Sequence, residues 1–274
     1  MSSVPRTAES TASRAANSRW LELLARAGFI GYGIVHLLFA WLALQIAWGG
    51  SSEEGDQSGA MQKIAEQPMG RFLVIAIGIG LAAMAIWQLL EALVGHTADR
   101  GKERVVERVA SAGRAIVYGY FAYTAFKVFN GAGASSADSQ QKTTEGLLGS
   151  TGGRWLVALA GLALAGLGVG LVIYGVVKRF EKHLKTGLMS PSTHKLARRL
   201  GVAGYSAKGV AYGIAGLLFV VAAVTYDPEK ARGLDAALNE LRDQPYGPIL
   251  LTLIALGIAA FGVFCFVQSK YRKV

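Results

Sequence analysis

The chain has 274 residues, of which 52% are hydrophobic and only 17% charged, well below the roughly 25% charge of soluble globular domains, so an ordinary soluble domain is excluded. A formal net charge of +10 raises nucleic acid as a partner, but the cations lie in separate stretches between apolar blocks, so no nucleic-acid role follows. A single cysteine, Cys265, excludes intrachain disulfides and multi-cysteine metal sites.

Residues 1–19 are polar, rich in Ser, Thr and Ala, and contain no apolar core ahead of a cleavage site; residues 1–25 read as a disordered cytoplasmic tail and not as a signal peptide. Six apolar blocks follow, at 27–48, 71–94, 109–130, 155–177, 202–225 and 248–268. Each approaches the roughly 20 helical residues that a bilayer core requires. The third is the weakest, charge-free only from Ala115 to Phe126 between Arg114 and Lys127. It counts as a span because it aligns with the first and fifth, and because Arg and Lys near helix ends can snorkel.

Short segments between the paired blocks carry helical periodicity. Leu234, Ala237, Leu238 and Leu241 share one helix face, Ala60, Met61 and Ile64 keep most of it in the first loop, and Leu147 and Leu148 remain in the second. These predict short amphipathic helices lying as lids over the bundle. Trp48, Trp155, Tyr226 and Tyr246 mark one interface, Trp20 and Tyr271 the other. Gly166 and Gly170, and Gly209 and Gly213, have the small-xxx-small spacing of close helix packing.

Two landmarks repeat three times. Gln67-Pro68-Met69-Gly70, Ser150-Thr151-Gly152-Gly153 and Gln244-Pro245-Tyr246-Gly247 each precede the second helix of a pair. Gly33, Ala115 and Gly209 each stand three positions before an aromatic ring: His36, Tyr118 and Tyr212. The spacings are 82 and 94 for the Gly33 set and 83 and 94 for the Gly70 set. The expected fold is all-α: a polytopic membrane protein whose six helices form three parallel two-helix units, 26–95, 109–180 and 201–271. A ring with pseudo-threefold symmetry is the simplest packing, and a linear row is the alternative. Of the 28 Lys and Arg, 20 fall in the tail, the inter-unit linkers and the C-terminus, and 7 in the loops within units. That is the positive-inside pattern. It predicts a multi-pass plasma-membrane protein with both termini cytoplasmic and its basic face against anionic lipid headgroups.

The repeated Gly-x-x-Tyr (or His) helix start, joined to an outer amphipathic segment ending in Gln-Pro-x-Gly, resembles the bacterial membrane family called domain of unknown function 1206. The likeness covers about residues 26 to 271. It implies three tandem two-helix units and a bacterial, commonly actinobacterial, source; it implies no activity. The middle copy departs most, with Ala115 for Gly and Ser150-Thr151-Gly152 for Gln-Pro-x.

Polar residues inside the spans are the candidate site, because intramembrane ionisable groups are costly and often functional. His36 and Gln88 fall at similar depths, so a His36–Gln88 hydrogen bond is expected, with Glu91 one turn nearer the cytoplasm. A functional reading makes His36 and Glu91 a proton or substrate site. A packing reading is favoured, because Tyr118 and Tyr212 replace His36 in the other units. Glu91 is expected to pair with Arg100 or Arg104. Arg114 and Lys208, aligned with Tyr32, read as interface anchors. Gly33, Gly209, Gln67, Pro68, Gly70, Gly153, Gln244, Pro245 and Gly247 are expected to be structural. No nucleophile elbow, zinc-protease helix or phosphate loop occurs. His183 and His194 stand in the long basic linker without a second ligand cluster. The chain is therefore expected to be non-catalytic and to need no cofactor: an accessory or scaffolding component of the envelope, with other membrane proteins as partners. A small-solute carrier or channel with a central cavity is the alternative.

Overall fold

The structure, a computed structural model, describes residues 19–49, 57–95, 101–131 and 135–273. Each apolar block is helical. Among the described residues, six long helices, α1 (Arg19–Ala47), α3 (Gly70–Leu93), α4 (Gly101–Phe129), α6 (Thr151–Val176), α7 (Pro191–Thr225) and α9 (Gly247–Tyr271), form three pairs, each with a short helix between its members: α2 (Gln57–Ala65), α5 (Ser136–Leu148) and α8 (Leu234–Arg242). Several begin at a side chain that satisfies a free N–H. Ser135, Ser150 and Ser190 accept from the amides of Asp138, Gly153 and Thr193, at 2.8, 3.0 and 3.2 Å. Pro191 in the first turn of α7 needs no donor there, so α7 starts well before the expected position 202. Likewise α1 starts at Arg19, which shortens the expected tail; residues 1–18 of that tail lie outside the described residues.

Five of the six long helices are apolar enough over at least 18 residues to cross a membrane. The exception is α4, the block read as the weakest span. Its 29 residues form one helix, but Arg104, Glu107, Arg108 and Arg114 fall in its first half.

The expected ring is present, with one break. The most extensive packing joins successive units: α3 against α4, α6 against α7, and α9 against α1. Within units, α1 packs on α3 and α7 on α9, while α4 and α6 barely meet. Glycine explains the difference. In the first unit Gly28 and Gly80 face each other, and a Cβ on Gly80 would come 2.9 Å from the Gly28 Cα. In the third unit Gly204 lies against the Phe261 backbone and Gly257 against the Ala207 methyl. The aligned positions of the second unit are Ala110 and Ala163, and there the glycine contact of the other two units is missing. At the seams, Gly33 meets Gly262, Gly168 meets Gly209, and Gly216 meets Gly161 and Ala165. Gly166 and Gly170, expected to pack, face open space; the contact stripe of α6 is instead Gly161, Ala165 and Gly168.

The short helices are lids, as expected. Ala60, Met61, Ala237 and Leu238 are buried. A Ser58–Ser136 hydroxyl contact ties α2 to α5, and Arg232 reaches Asp138 and Gln141 from the α8 side, both at 3.1 Å. The Gln-Pro-x-Gly motif is the turn from lid to span. Its third residue is left-handed, φ 63° at Met69 and 62° at Tyr246, and the Gly70 and Gly247 amides donate back to the Gln67 and Gln244 carbonyls at 2.8 Å. A Cβ on Gly70, Gly153 or Gly247 would run into the carbonyl oxygen of Ile64, Leu147 or Arg242. That is why glycine survives in all three copies although the residues before it change.

Candidate functional site: a buried cluster where the units meet

Tyr32 and His36 are one turn apart on α1. His36 is fully buried, and its Nδ1 lies 2.9 Å from the Tyr32 carbonyl oxygen. A carbonyl only accepts, so Nδ1 carries the proton and Nε2 offers a lone pair. Lys208 of α7 donates to that Nε2 and to the Tyr32 hydroxyl, at 3.2 Å each. The ammonium lies 4.0 Å from the Phe261 ring centre and 5.9 Å from that of Tyr212, as a cation over an aromatic face prefers. Lys208 is only 9% exposed, and among the described residues no carboxylate pairs with it.

Rings fill the surrounding space. Tyr32 meets Tyr118 edge to face at 5.3 Å, His36 lies 4.9 Å from Phe261, and Tyr205 meets Phe261 at 5.2 Å and Tyr174 at 4.9 Å. Phe180 of the linker stacks on Tyr205 at 5.6 Å. Side chains of all three units thus interlock at their common centre.

The structure brings together His36, Tyr118 and Tyr212, around Tyr32 and Lys208. It does not make the expected His36–Gln88 bond. Gln88 accepts instead from Arg114 Nε at 2.9 Å, and Arg114 also donates to Ser111 at 2.8 Å. Glu91 is half-buried beside Gly95, away from the imidazole's two partners; its expected pairing with Arg100 lies outside the described residues. Lys208 and Arg114 are not interface anchors, because α7 and α4 start earlier than expected and carry both residues further along their helices.

A second cluster, missed in the sequence, closes the linker end. Glu107 pairs with Lys182 and lies 3.7 Å from His183 Nε2, while His183 Nδ1 is bonded to the Tyr174 hydroxyl at 3.1 Å. Burial, then the positive charge of Arg272, pushes the His183 pKa down from 6.5. The C-terminal strand-like segment docks here: the Lys185 amide donates to the Tyr271 carbonyl at 2.7 Å and the Lys273 amide to the His183 carbonyl at 2.9 Å. No periodicity signals this pairing of a linker with a chain end.

At the lid end two lateral grooves of about 460 Å³ each occupy matching places. One is lined by Leu38, Ile64 and Leu73, the other by their repeat counterparts Tyr120, Leu147 and Leu156.

The unit-by-unit geometry agrees with what the chain is similar to. A family model described as Domain of Unknown Function (DUF1206) matches residues 27–95, 109–178 and 203–272. The chain belongs to this family. Each DUF1206 match covers one helix–lid–helix unit and stops at the linkers. The chain is also 30% identical over 257 residues, 93% of its own length and 92% of the relative's, to the uncharacterized protein YxxB of Bacillus subtilis (strain 168). No solved structure matches.

Proposed function

We propose that this DUF1206 chain is a non-catalytic multi-pass protein of the bacterial plasma membrane, acting as an accessory or scaffolding component of the envelope. The carrying observation is the filled centre: His36, Tyr32, Tyr118, Lys208 and Phe261 touch one another where a carrier needs an aqueous path. Membrane insertion is supported by the five long apolar helices and by their exposed apolar belt, which includes Ile79, Ile86, Leu159, Leu162, Leu253 and Leu256. An aqueous surface tolerates no such continuous patch. The excess of Lys and Arg at the linker end favours both termini inside the cell, against anionic lipid.

One observation favours the carrier reading: Lys208 is buried at the centre with only neutral partners, a costly arrangement that transport sites employ. Two measurements decide between the readings. Purification from native membranes in mild detergent is expected to recover a second membrane protein at fixed stoichiometry, and reconstituted chain alone is expected to pass no solute. A lone chain that moves an ion or small solute across liposomes, with the flux abolished by Lys208→Met, overturns the scaffold.

A further inference from the structure

Two neighbouring residues at the linker end bury hydrogen-bond donors that find no acceptor among the described residues. Trp87 of α3, 3% exposed, leaves its indole N–H unpartnered, and Arg272, 8% exposed, leaves Nε unpartnered. The Arg272 guanidinium carbon stands 5.6 Å from the Trp87 ring centre and 5.5 Å from that of Phe29. The backbone holding it is fixed by the Lys185–Tyr271 and Lys273–His183 hydrogen bonds. Arg272 is therefore built into the interior and does not fray into solvent. Orphaned buried donors are rare in native proteins, and a water or an ion supplied from outside the chain is one of the things that satisfies them.

The surroundings set the charge of that acceptor. Arg114 spends its hydrogen bonds on the neutral oxygens of Gln88 and Ser111. Arg114 and Arg272 both act electrostatically on the Tyr118 and Tyr205 hydroxyls, so the two cations share one region. Glu107, the carboxylate acting on Arg114, is already engaged by Lys182 and faces His183. The carboxyl end of α9 offsets part of the Arg272 charge, but the Gln268 carbonyl already receives the Arg272 backbone amide. No carboxylate pairs with Arg272 among the described residues, so a water would satisfy the orphan donors without countering the charge, whereas an anion does both.

We propose that Arg272 and Trp87 bind a phosphate group at the linker end of the bundle. A tetrahedral anion with several acceptor oxygens suits a guanidinium fork plus an indole N–H. The phosphate comes either from a lipid headgroup of the adjoining leaflet or from a free phosphate in solution. The lipid source rests on the membrane reading above; the site itself does not.

The test uses the full chain in phosphate-free neutral detergent, alone, with inorganic phosphate added, and with phosphatidylglycerol added. Thermal unfolding midpoint and bound adducts by native mass spectrometry are read in each. Stabilisation by phosphatidylglycerol alone assigns the headgroup; stabilisation by inorganic phosphate assigns a soluble ligand. Arg272→Gln and Trp87→Phe are each expected to weaken either effect about tenfold, the loss of one charge-assisted hydrogen bond. If Arg272→Gln does not fold, Trp87→Phe, which removes only the N–H and keeps the ring, still decides. No stabilisation by either phosphate, or stabilisation unchanged in the variants that fold, overturns the site. The scaffold reading fails by solute flux, a separate readout.

Discussion

The first and second units carry the same landmarks yet close differently. In the first, α1 and α3 touch through Gly28 and Gly80; in the second, α4 and α6 stand apart with Ala110 and Ala163 at the aligned positions. The lid turns differ as well. Met69 enters α3 in a left-handed conformation, whereas Ser150 enters α6 extended, at φ −128°, and caps the helix with its hydroxyl. Contacts between units therefore hold the bundle, and contacts within a unit are optional. One hairpin stands open while its seams to both neighbours persist.

The largest expected effect breaks that contrast directly. Gly80→Leu drives a side chain into the Gly28 backbone and is expected to destabilise the folded chain by about 3 kcal/mol, the upper range of overpacking. Ala163→Leu, on an exposed face of α6, is expected to change stability by less than about 0.5 kcal/mol. Thermal unfolding of both variants in one detergent compares them. Equal losses would mean that the second hairpin is closed like the first.

A smaller effect separates the two turns. Met69→Gly removes the side chain from a left-handed position and is expected to stabilise by about 1 kcal/mol. Ser150→Ala deletes a cap and is expected to destabilise by a similar amount, about 1 kcal/mol. Opposite signs in denaturant or thermal midpoints support the difference in geometry; a loss in both would refute the left-handed turn at Met69.

Much of this was legible in the residues, for physical reasons that also mark where legibility ends. Gly70, Gly153 and Gly247 stand out because a lid carbonyl occupies the space of a Cβ, whatever the neighbouring residues are. His36, Tyr118 and Tyr212 could be brought to a common centre because equal spacing in a repeat means equal position in the ring. Lys208 was misplaced because depth was counted from the apolar block and not from the Ser190-Pro191 cap, which extends α7 toward the linker. The Gln88 partner was misjudged because pairs were sought inside a unit, while the seams between units bring Arg114 to it. Arg272 carried no signal: a basic residue after the last apolar block resembles a solvated end, and only the linker's pairing with that end buries it.

The smallest effect probes the linker between the second and third units. His183 is kept neutral by burial and by Arg272, so its folded-state pKa lies below the ordinary 6.5. Below pH 6.5 the unfolded segment takes up a proton that the folded one refuses. Stability is therefore fully present above that pH and declines as pH falls, by at most about 1.4 kcal/mol per pH unit for one proton. Two carboxylates join only at lower pH. The hydrogen bond from Arg198 holds Glu181 below 4.5. Burial raises the Glu107 carboxyl, but the hydrogen bond and charge of Lys182, with the charge of Arg114, take it below 4.5 as well. Stability from both is present above that value and lost beneath it, so among the described groups of the linker end the window from 6.5 to 4.5 belongs to His183. Exchange protection at the Lys185 and Lys273 amides, taken relative to unstructured chain at the same pH, is expected to fall through that window. In His183→Gln, which keeps a polar contact to Tyr174 and cannot titrate, it is expected to stay flat. Protection in the original chain that holds constant down to about pH 5 would show that the linker end is locked by the Lys185–Tyr271 pairing alone.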